Sequence, residues 1–368
     1  MNIKTLRDRV SESHPSFLTI QNQKAAPQTK IQNQKGWNRR EFLTNLAFAG
    51  STALLGLHAD AFAAEPPPET TRIRIPRIPS TCRSPEWIAE ELLRAEGFTD
   101  IRYVPVQGTQ GVERSLASGE VDIGAHFAAP VILRLEAGDP IVIVGGEHIG
   151  CFELLGSERI RTIRDLKGRA VAIPELDPSP YAFLASMVSY VGLNPNKDIN
   201  WVKHRAGEAM QLLADGKIDA YLGFPTEPQA FRAKKIGRVV VNSAVDRPWS
   251  QYFCCMLTGN REFVRKNPVA TKRAVRAILK SAEICAVAPE KVAKSITARG
   301  FANNYDYALE AIKSLPYGRW REYDAEDTVR FWSLRLHEAG MIKSSPQKII
   351  AQGTDWRFLK ELKKELKA

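Results

Sequence analysis

The stretch Leu116-Ala117-Ser118-Gly119-Glu120-Val121-Asp122 decides the fold, because it recurs as Leu213-Ala214-Asp215-Gly216-Lys217-Ile218-Asp219. Around both stretches, apolar runs of strand length alternate with helical patterns in the order strand, helix, strand, helix, strand. Other landmarks recur in the same order: Ser84-Pro85 as Ser179-Pro180, Gly97 as Gly192, and Ile101-Arg102-Tyr103-Val104 as Ile199-Asn200-Trp201-Val202. This pattern predicts an α/β protein in which one βαβαβ unit is used twice.

Two apolar segments outside the repeats are predicted to connect the two copies. One runs from Pro140 into residues 147–155 before the second copy, and the other, Tyr252-Phe253-Cys254-Cys255-Met256-Leu257, follows it. Because the chain crosses out and back, we expect a discontinuous first lobe and a hinge made of two strands. The predicted domains are residues 64–155 for the first part of lobe 1, 156–250 for lobe 2, and 251–368 for the return and the C-terminal helices.

Residues 1–63 are predicted to be a leader rather than part of the fold. Residues 1–36 are polar and rich in Gln, Asn and Lys, which is typical of disorder. The following Asn38-Arg39-Arg40-Glu41-Phe42-Leu43, a short apolar run and Ala61-Phe62-Ala63 resemble a twin-arginine secretory signal that is cleaved before Ala64. The alternative is an uncleaved anchor, but the run is short and rich in small residues. We therefore expect an exported, periplasmic protein that is soluble after cleavage.

Composition and motifs exclude several classes of protein. Lys and Arg number 52 against 41 Asp and Glu, and the surplus is scattered rather than clustered, so a nucleic-acid partner is not expected. The sequence contains no phosphate-binding loop, no His-Glu-x-x-His, no Gly-x-Ser-x-Gly and no Cys-x-x-Cys. Its six histidines lie far apart in the chain. We therefore expect no catalytic residue, no metal site and no cofactor.

The sequence resembles the solute-binding proteins of ABC importers. The residues that carry the resemblance are Leu-x-x-Gly-x-x-Asp in both repeats, Ile163-Arg164-Asp165-Leu166-Lys167-Gly168, and the segment from Asn260 to Pro268. The group that it resembles serves sulfonates, nitrate, taurine and thiamine-pyrimidine precursors, and is called NMT1/THI5-like. The resemblance implies a type II periplasmic-binding-protein fold, a small-molecule ligand in the cleft between two lobes, a monomeric state, and an ABC permease of the inner membrane as partner.

The loops after the first strand of each repeat are predicted to contact the ligand, because parallel α/β sheets bind ligands beyond the carboxyl ends of their strands. Ser84 and Ser179 each precede a proline and are predicted to be N-caps, so that two helix N-termini would attract an anion. Arg83 would add a bidentate partner for a sulfonate or carboxylate. Alternatively, both serines only cap their helices. The candidate binding residues here are Thr81, Cys82, Arg83, Ser84, Ser179 and Tyr181.

The loops after the third strand of each repeat supply further candidates. His126 would donate to an anion or sense pH, although a structural hydrogen bond is the more frequent role of a lone histidine. Glu227 would bind an amino group or pair with Arg83 across a closed cleft. Trp249 would form an aromatic wall or pack at the hinge. The candidate binding residues of this set are His126, Phe127, Phe224, Thr226, Glu227 and Trp249.

Two other functions are compatible with the sequence. Thiamine-pyrimidine-precursor synthases share this architecture and carry a cysteine cluster where this chain has Cys254-Cys255. Only two cysteines match, and an exported leader does not suit a cytosolic enzyme. A ligand-sensing module for a membrane partner is the other alternative. The favoured hypothesis is the extracytoplasmic substrate-binding component of an ABC transporter, with a small anionic solute such as a sulfonate, nitrate or carboxylate, and without enzymatic activity.

Overall fold

The computed structural model describes residues 65–173 and 178–366. The predicted leader and its cleavage site at Ala63 and Ala64 lie outside the described residues, as do residues 174–177 of a predicted ligand loop. The side chain of Ser179 also lies outside them, so its predicted role stays a prediction. Among the described residues, no helix is both long enough and apolar enough to cross a membrane.

Ten strands and fourteen helices are named here in chain order over the described residues. The strands are β1 (Arg72–Arg77), β2 (Asp100–Pro105), β3 (Ile123–Phe127), β4 (Ile141–Ile149), β5 (Glu153–Gly156), β6 (Ala170–Ile173), β7 (Asn200–Lys203), β8 (Ala220–Gly223), β9 (Arg238–Asn242) and β10 (Phe253–Asn260). The helices are α1 (Ser84–Ile88), α2 (Glu90–Ala95), α3 (Gly108–Ser118), α4 (Ala128–Glu136), α5 (Pro178–Tyr190), α6 (Ala206–Ala214), α7 (Glu227–Ala233), α8 (Arg261–Lys266), α9 (Pro268–Val287), α10 (Pro289–Ala298), α11 (Tyr305–Ser314), α12 (Ala325–Glu338), α13 (Pro346–Gly353) and α14 (Arg357–Glu365).

The strands form two groups, and each contains one copy of the predicted repeat. In the second group, the strand order is β7-β6-β8-β5-β9, with β6 parallel to both β7 and β8. In the first group, β1 and β2 are parallel, and β10 lies between β3 and β4 and is antiparallel to both. Asp122 connects the two parts of this group, since its backbone N–H donates to the carbonyl of Arg74 in β1. The predicted α/β class with two lobes is confirmed.

Two connectors join the lobes, which we name by their strands: β1–β4 and β10 in the first lobe, and β5–β9 in the second. The outgoing connector spans residues 150–152 and the returning connector residues 243–252. They are hydrogen-bonded to each other, because the Phe152 amide donates to Ser243 Oγ at 2.9 Å and Ser243 Oγ donates to the Phe152 carbonyl at 2.8 Å. Gly150, at φ +66°, lies so near Ala244 that an added Cβ would be 2.4 Å from its Cα. The second lobe is predicted to begin at residue 156, whereas the first strand of its sheet begins at Glu153. The exact domain boundaries stay predictions.

The C-terminal helices contact both lobes. Trp332 of α12 lies edge-on to Phe183 of α5, with ring centroids 4.9 Å apart, and its Nε1 donates to the Phe253 carbonyl of β10. Arg232 of α7 forms an ion pair with Glu310 of α11 at 2.6 Å. The C-terminal helices therefore pack on both lobes rather than on the first lobe alone.

The first described residues are held on α9 by ion pairs, which predicts an acid-dependent loss of stability. Arg276 Nη2 donates to both carboxylate oxygens of Glu65 at 2.7 Å, and Lys272 lies 3.3 Å away. Burial alone would raise the pKa of Glu65, but Arg276 and Lys272 hold it below the ordinary value of 4.5. A carboxyl group with a lowered folded-state pKa stabilises the fold above its unfolded pKa, and that contribution is lost as the pH falls through the folded pKa.

The variant Glu65→Gln is therefore expected to lower the free energy of unfolding at pH 7 by about 0.5–1 kcal/mol, the upper range for a partly exposed ion pair. Denaturant unfolding of both proteins over a pH series checks this, because the difference should shrink as the pH falls below 4.5. Glu361→Gln is the matched control, since Glu361 pairs with the same Lys272 but is more exposed. An equal loss at every pH would contradict the ionic origin.

Candidate ligand-binding cavity

A cavity of about 290 Å³ opens between the loops of the two lobes. Its polar side chains are those of Ser80, Arg83, His126 and Glu227, and the rest of its lining is mainly apolar. The lining residues are Ile78, Pro79, Ser80, Arg83, Gly108, Val112, Ala125, His126, Phe127, Pro180, Phe224, Pro225, Glu227 and Cys255. A mostly apolar cavity with a few convergent polar groups is typical of a site for a small organic molecule.

Arg83 has one side-chain nitrogen left for a ligand. The side chain is buried, and its Nε and Nη2 donate to the Glu86 carboxylate at 2.5 and 2.7 Å. Its guanidinium also lies 5.1 Å from the ring centroid of Trp87. Nη1 is buried and has no hydrogen-bond partner among the residues described. Glu86 thus balances the positive charge of Arg83, while the capacity of Nη1 to donate a hydrogen bond is unused among the described residues.

Ser84 does not cap a helix, so that prediction is wrong. A 3₁₀ turn over Thr81–Arg83 leads directly into α1, and Ser84 already has helical backbone angles. Its Oγ donates to the Thr81 carbonyl at 2.6 Å instead of accepting from a backbone N–H further along the helix. The capping position falls to Arg83, which makes no side-chain cap. With only five residues, α1 offers no extended helix end to an anion.

His126 is held by a hydrogen-bond network at the end of β3. Its Nε2 lies 3.3 Å from Glu113 Oε1, and its Nδ1 lies 3.2 Å from the Phe127 carbonyl. Arg134 approaches the other oxygen of Glu113 at 3.8 Å. The ring is therefore oriented by protein groups while still lining the cavity. This arrangement combines the structural role with a position where a solute can touch the imidazole.

Glu227 fixes the loop after β8. Its Oε2 accepts from the Tyr221 hydroxyl at 2.8 Å and from the Phe224 amide at 3.1 Å. The predicted pairing of Glu227 with Arg83 is replaced by the Arg83–Glu86 pair, because Glu86 lies one turn along the same short helix. Glu227 therefore holds the loop in place and lines the cavity from the second lobe.

Two phenylalanines bring the lobes together beside the cavity. Phe127 ends β3 of the first lobe and Phe224 follows β8 of the second, and their ring centroids are 4.7 Å apart. Phe183 of α5 lies 5.8 Å from Phe127 and extends the same cluster. Phe127 and Phe224 line the cavity and form an apolar wall, while Phe183 packs behind them.

Comparison with protein families identifies the chain. Residues 94–292 match the family described as "NMT1/THI5 like". The chain belongs to this family. No curated protein matches its sequence.

Solved structures similar to this NMT1/THI5-like chain confirm the predicted periplasmic-binding-protein fold. The periplasmic nitrate-binding protein NrtA from Synechocystis PCC 6803 has a TM-score of 0.67 and 13% identity, covering 82% of this chain and 90% of that one. The putative sulfonate-binding protein SsuA from Methylobacillus flagellatus KT has a TM-score of 0.61 and 20% identity, covering 80% and 94%. The aliphatic sulphonate-binding protein SsuA from Escherichia coli has a TM-score of 0.60 and 16% identity, covering 76% and 91%.

Several candidates in this NMT1/THI5-like chain do not line the cavity. Tyr181 donates from its hydroxyl to Asn196 Oδ1 at 3.1 Å, and Trp249 stacks on Trp332 with centroids 5.8 Å apart. Trp249 thus takes its alternative role, packing at the returning connector. The remaining candidates outside the lining are Thr81, Cys82, Ser84 and Thr226.

The sequence did not predict a cluster of sulfur and nitrogen donors that lies next to the cavity. Cys82, His148, Cys151 and Cys255 are all buried, and their donor atoms lie within 4.8 Å of one another. Burial alone would lower the pKa of His148, but Cys255 and Glu147 raise it to about 10. His148 and Cys151 are three residues apart, but Cys82 and Cys255 lie in other parts of the chain, so no local spacing pattern contains the whole cluster.

Proposed function

We propose that this protein is the extracytoplasmic solute-binding component of an ABC importer, and that it holds a small organic anion in the cavity between its lobes. An ABC permease of the inner membrane is its proposed partner, and the periplasm its proposed location. The protein would act as a monomer and catalyse no reaction. The class of solute is inferred from the chemistry of the cavity, and membership of the NMT1/THI5-like family is consistent with it.

The observation that carries the proposal is Arg83, which lines a mainly apolar cavity and whose buried Nη1 has no hydrogen-bond partner among the described residues. A buried donor without an acceptor costs about 1–3 kcal/mol, so a ligand oxygen placed there recovers free energy that the empty protein lacks. The remaining guanidinium nitrogens are committed to Glu86. One or two oxygens of a sulfonate or carboxylate satisfy this donor.

The apolar lining favours an organic anion over nitrate. Phe127 and Phe224 present rings to the cavity, and a solute with an alkyl or aromatic body buries surface against them. Nitrate has no apolar surface to bury and would fill little of about 290 Å³. The carboxylate of Glu227 would also repel a purely anionic solute near the second lobe. We therefore place the anionic group at Arg83 and the apolar body between the phenylalanines.

A thermal-shift screen tests this function. Candidate solutes are alkyl and aryl sulfonates, aromatic carboxylates, nitrate and pyrimidines, each added to the purified protein. A solute at 100 times its Kd adds about 2.7 kcal/mol of stability, which raises the melting temperature measurably. We expect an organic sulfonate or carboxylate to give the shift and nitrate to give none. A shift with nitrate alone, or chemical conversion of a bound solute seen by mass spectrometry, would contradict the proposal.

The variant Phe224→Ala is expected to weaken binding of the solute found in that screen by about 3-fold to 10-fold, since an aromatic contact is worth about 0.5–1.5 kcal/mol. Isothermal titration calorimetry measures the change. Phe263→Ala is the control, because Phe263 is partly buried on α8 and does not line the cavity. Equal affinity for Phe224→Ala and the wild-type protein would place the solute elsewhere.

A further inference from the structure

The buried cysteine and histidine cluster is assembled from three separate segments that meet at the hinge. Cys82 lies in the 3₁₀ turn after β1, His148 at the end of β4, Cys151 in the outgoing connector, and Cys255 on β10. Cys151 Sγ and Cys255 Sγ are 3.4 Å apart, and no pair of donor atoms exceeds 4.8 Å. In a tetrahedral site with metal–sulfur bonds of about 2.3 Å, sulfurs lie ~3.8 Å apart. Closing on one ion would require shifts of about 1 Å or less.

The donor types select the class of ion. Three cysteine sulfurs and one imidazole nitrogen form the soft Cys₃His set that binds zinc and other thiophilic ions in closed sites. Calcium and magnesium prefer oxygen ligands and are not suited to this set. All four side chains are buried, so the site has the closed character of a structural centre.

His148 is held by backbone carbonyls at both ring nitrogens. Its Nδ1 lies 3.0 Å from the Ile149 carbonyl, and its Nε2 lies 3.0 Å from the Cys82 carbonyl. With a carbonyl oxygen at hydrogen-bond distance from each nitrogen, the metal-free ring is protonated on both and donates to both oxygens. An ion bound at Nε2 would replace that proton and the contact with the Cys82 carbonyl, while Nδ1 keeps its donation to Ile149. A backbone carbonyl on the second ring nitrogen is the usual support of a ligating histidine.

Glu147 is a buried acid beside the cluster, close to Arg83 and His148. Its side chain is fully buried, and neither carboxylate oxygen has a hydrogen-bond partner among the described residues. One of these oxygens lies 4.0 Å from His148 Nε2.

The cluster also has an approach from the cavity, because Cys255 belongs to both. We propose that Cys82, His148, Cys151 and Cys255 form a binding site for one thiophilic d¹⁰ cation, zinc(II) or copper(I). The bound ion would connect the 3₁₀ turn over Thr81–Arg83 to the outgoing connector and to β10. Binding exchanges the thiol protons and the imidazole Nε2 proton for the cation, and no electron transfer is involved. The site does not depend on the identity of the solute.

Titration of the reduced, metal-free full chain with Co²⁺ tests the site. Thiolate ligands on tetrahedral cobalt give intense charge-transfer and visible absorption, and we expect this signal to saturate at one ion per chain. Zinc(II) or copper(I) added afterwards should bleach it, and elemental analysis of the protein as purified distinguishes the two ions. The readout is independent of solute binding, so failure of the solute screen would leave this result unchanged.

Matched variants locate the ion. Cys151→Ser and His148→Gln should weaken cobalt binding by about 100-fold or more, as expected for loss of a ligand. Cys285→Ser should bind like the wild-type protein, because Cys285 is an equally buried thiol on α9 outside the cluster. Circular dichroism shows whether each variant is folded. If one of them is not, Cys255→Ser, which changes a ligand on a different segment, is used in its place. Absence of the cobalt signal, its retention in Cys151→Ser, or a Cys151–Cys255 disulfide in the purified protein would overturn the site.

Discussion

Replacing Arg83 with alanine is expected to lower the free energy of unfolding by about 3–5 kcal/mol, because the change leaves the carboxylate of Glu86 buried without its ion-pair partner. Arg83 and Glu86 have side-chain exposures of 5% and 0%, so water cannot compensate for the loss. Oε1 of Glu86 still accepts from the Ala125 amide at 2.8 Å, but one neutral hydrogen bond does not balance a buried charge. Denaturant unfolding measures the effect.

Two further variants separate the lost charge balance from lost packing. Glu86→Ala should lower the free energy of unfolding by a similar amount, because it leaves the Arg83 guanidinium buried without its ion-pair partner. The double variant Arg83→Met with Glu86→Leu removes both charges and keeps apolar volume, so it should be more stable than either single alanine variant. If its loss instead equalled the sum of the two single losses, the pair would not act as a unit.

Arg83→Ala should also abolish the donor that we assign to the solute. Solute affinity is therefore expected to fall by about 10-fold or more, as for removal of a charge-assisted hydrogen bond. Calorimetry should be performed on protein shown to be folded, because the stability loss would otherwise mimic a binding defect. Unchanged affinity in folded Arg83→Ala would move the anionic group away from this residue.

Replacing Trp332 with alanine is the second large change, with an expected loss of about 3–5 kcal/mol. Trp332 is 1% exposed and contacts Phe183 of the second lobe while donating to the Phe253 carbonyl of the first. Phe152, in the outgoing connector, lies 6.4 Å from its ring. Removing the indole opens a cavity at the place where the C-terminal helices join both lobes, so unfolding should also become less cooperative.

The conservative variant Trp332→Phe keeps a ring against Phe183 and loses the Nε1 donor. It should cost about 1–2 kcal/mol, mainly from the unsatisfied Phe253 carbonyl and the smaller ring. Calorimetric unfolding of both variants measures the two losses and the shape of the transition. Equal losses for alanine and phenylalanine would show that the hydrogen bond, rather than the aromatic packing, stabilises this junction.

The lining of the cavity was partly predictable, because loops at the carboxyl ends of parallel strands have a known place in the fold. Arg83, His126, Phe127, Phe224 and Glu227 were predicted on this ground, and all five line the cavity. The ion pair between Arg83 and Glu86 was harder to predict, although residues three apart on a helix lie close enough to pair. Whether a neighbouring acid pairs or faces solvent depends on burial, which the sequence alone does not report.

The helix cap at Ser84 was wrong for a physical reason. Serine before proline is typical of an N-cap, but a preceding 3₁₀ turn gives the serine helical backbone angles and a different partner. The turn is stabilised from a distance, since the Tyr317 hydroxyl donates to the carbonyls of Thr81 and Cys82. Tyr317 lies far along the chain, so no local pattern contains this information.

The sequence by itself determined the repeat, the α/β class and the edge of the sheets where the cavity lies, because strand and helix periodicity are local properties of the chain. Only the tertiary structure decided which charges are already paired and which donors meet. His148 and Cys82 are separated by 66 positions, and Cys151 and Cys255 by 104. These donors converge because β10 returns between β3 and β4 beside the loop after β1. That juxtaposition is set by the packing of the whole first lobe and is recorded in no local pattern of the sequence.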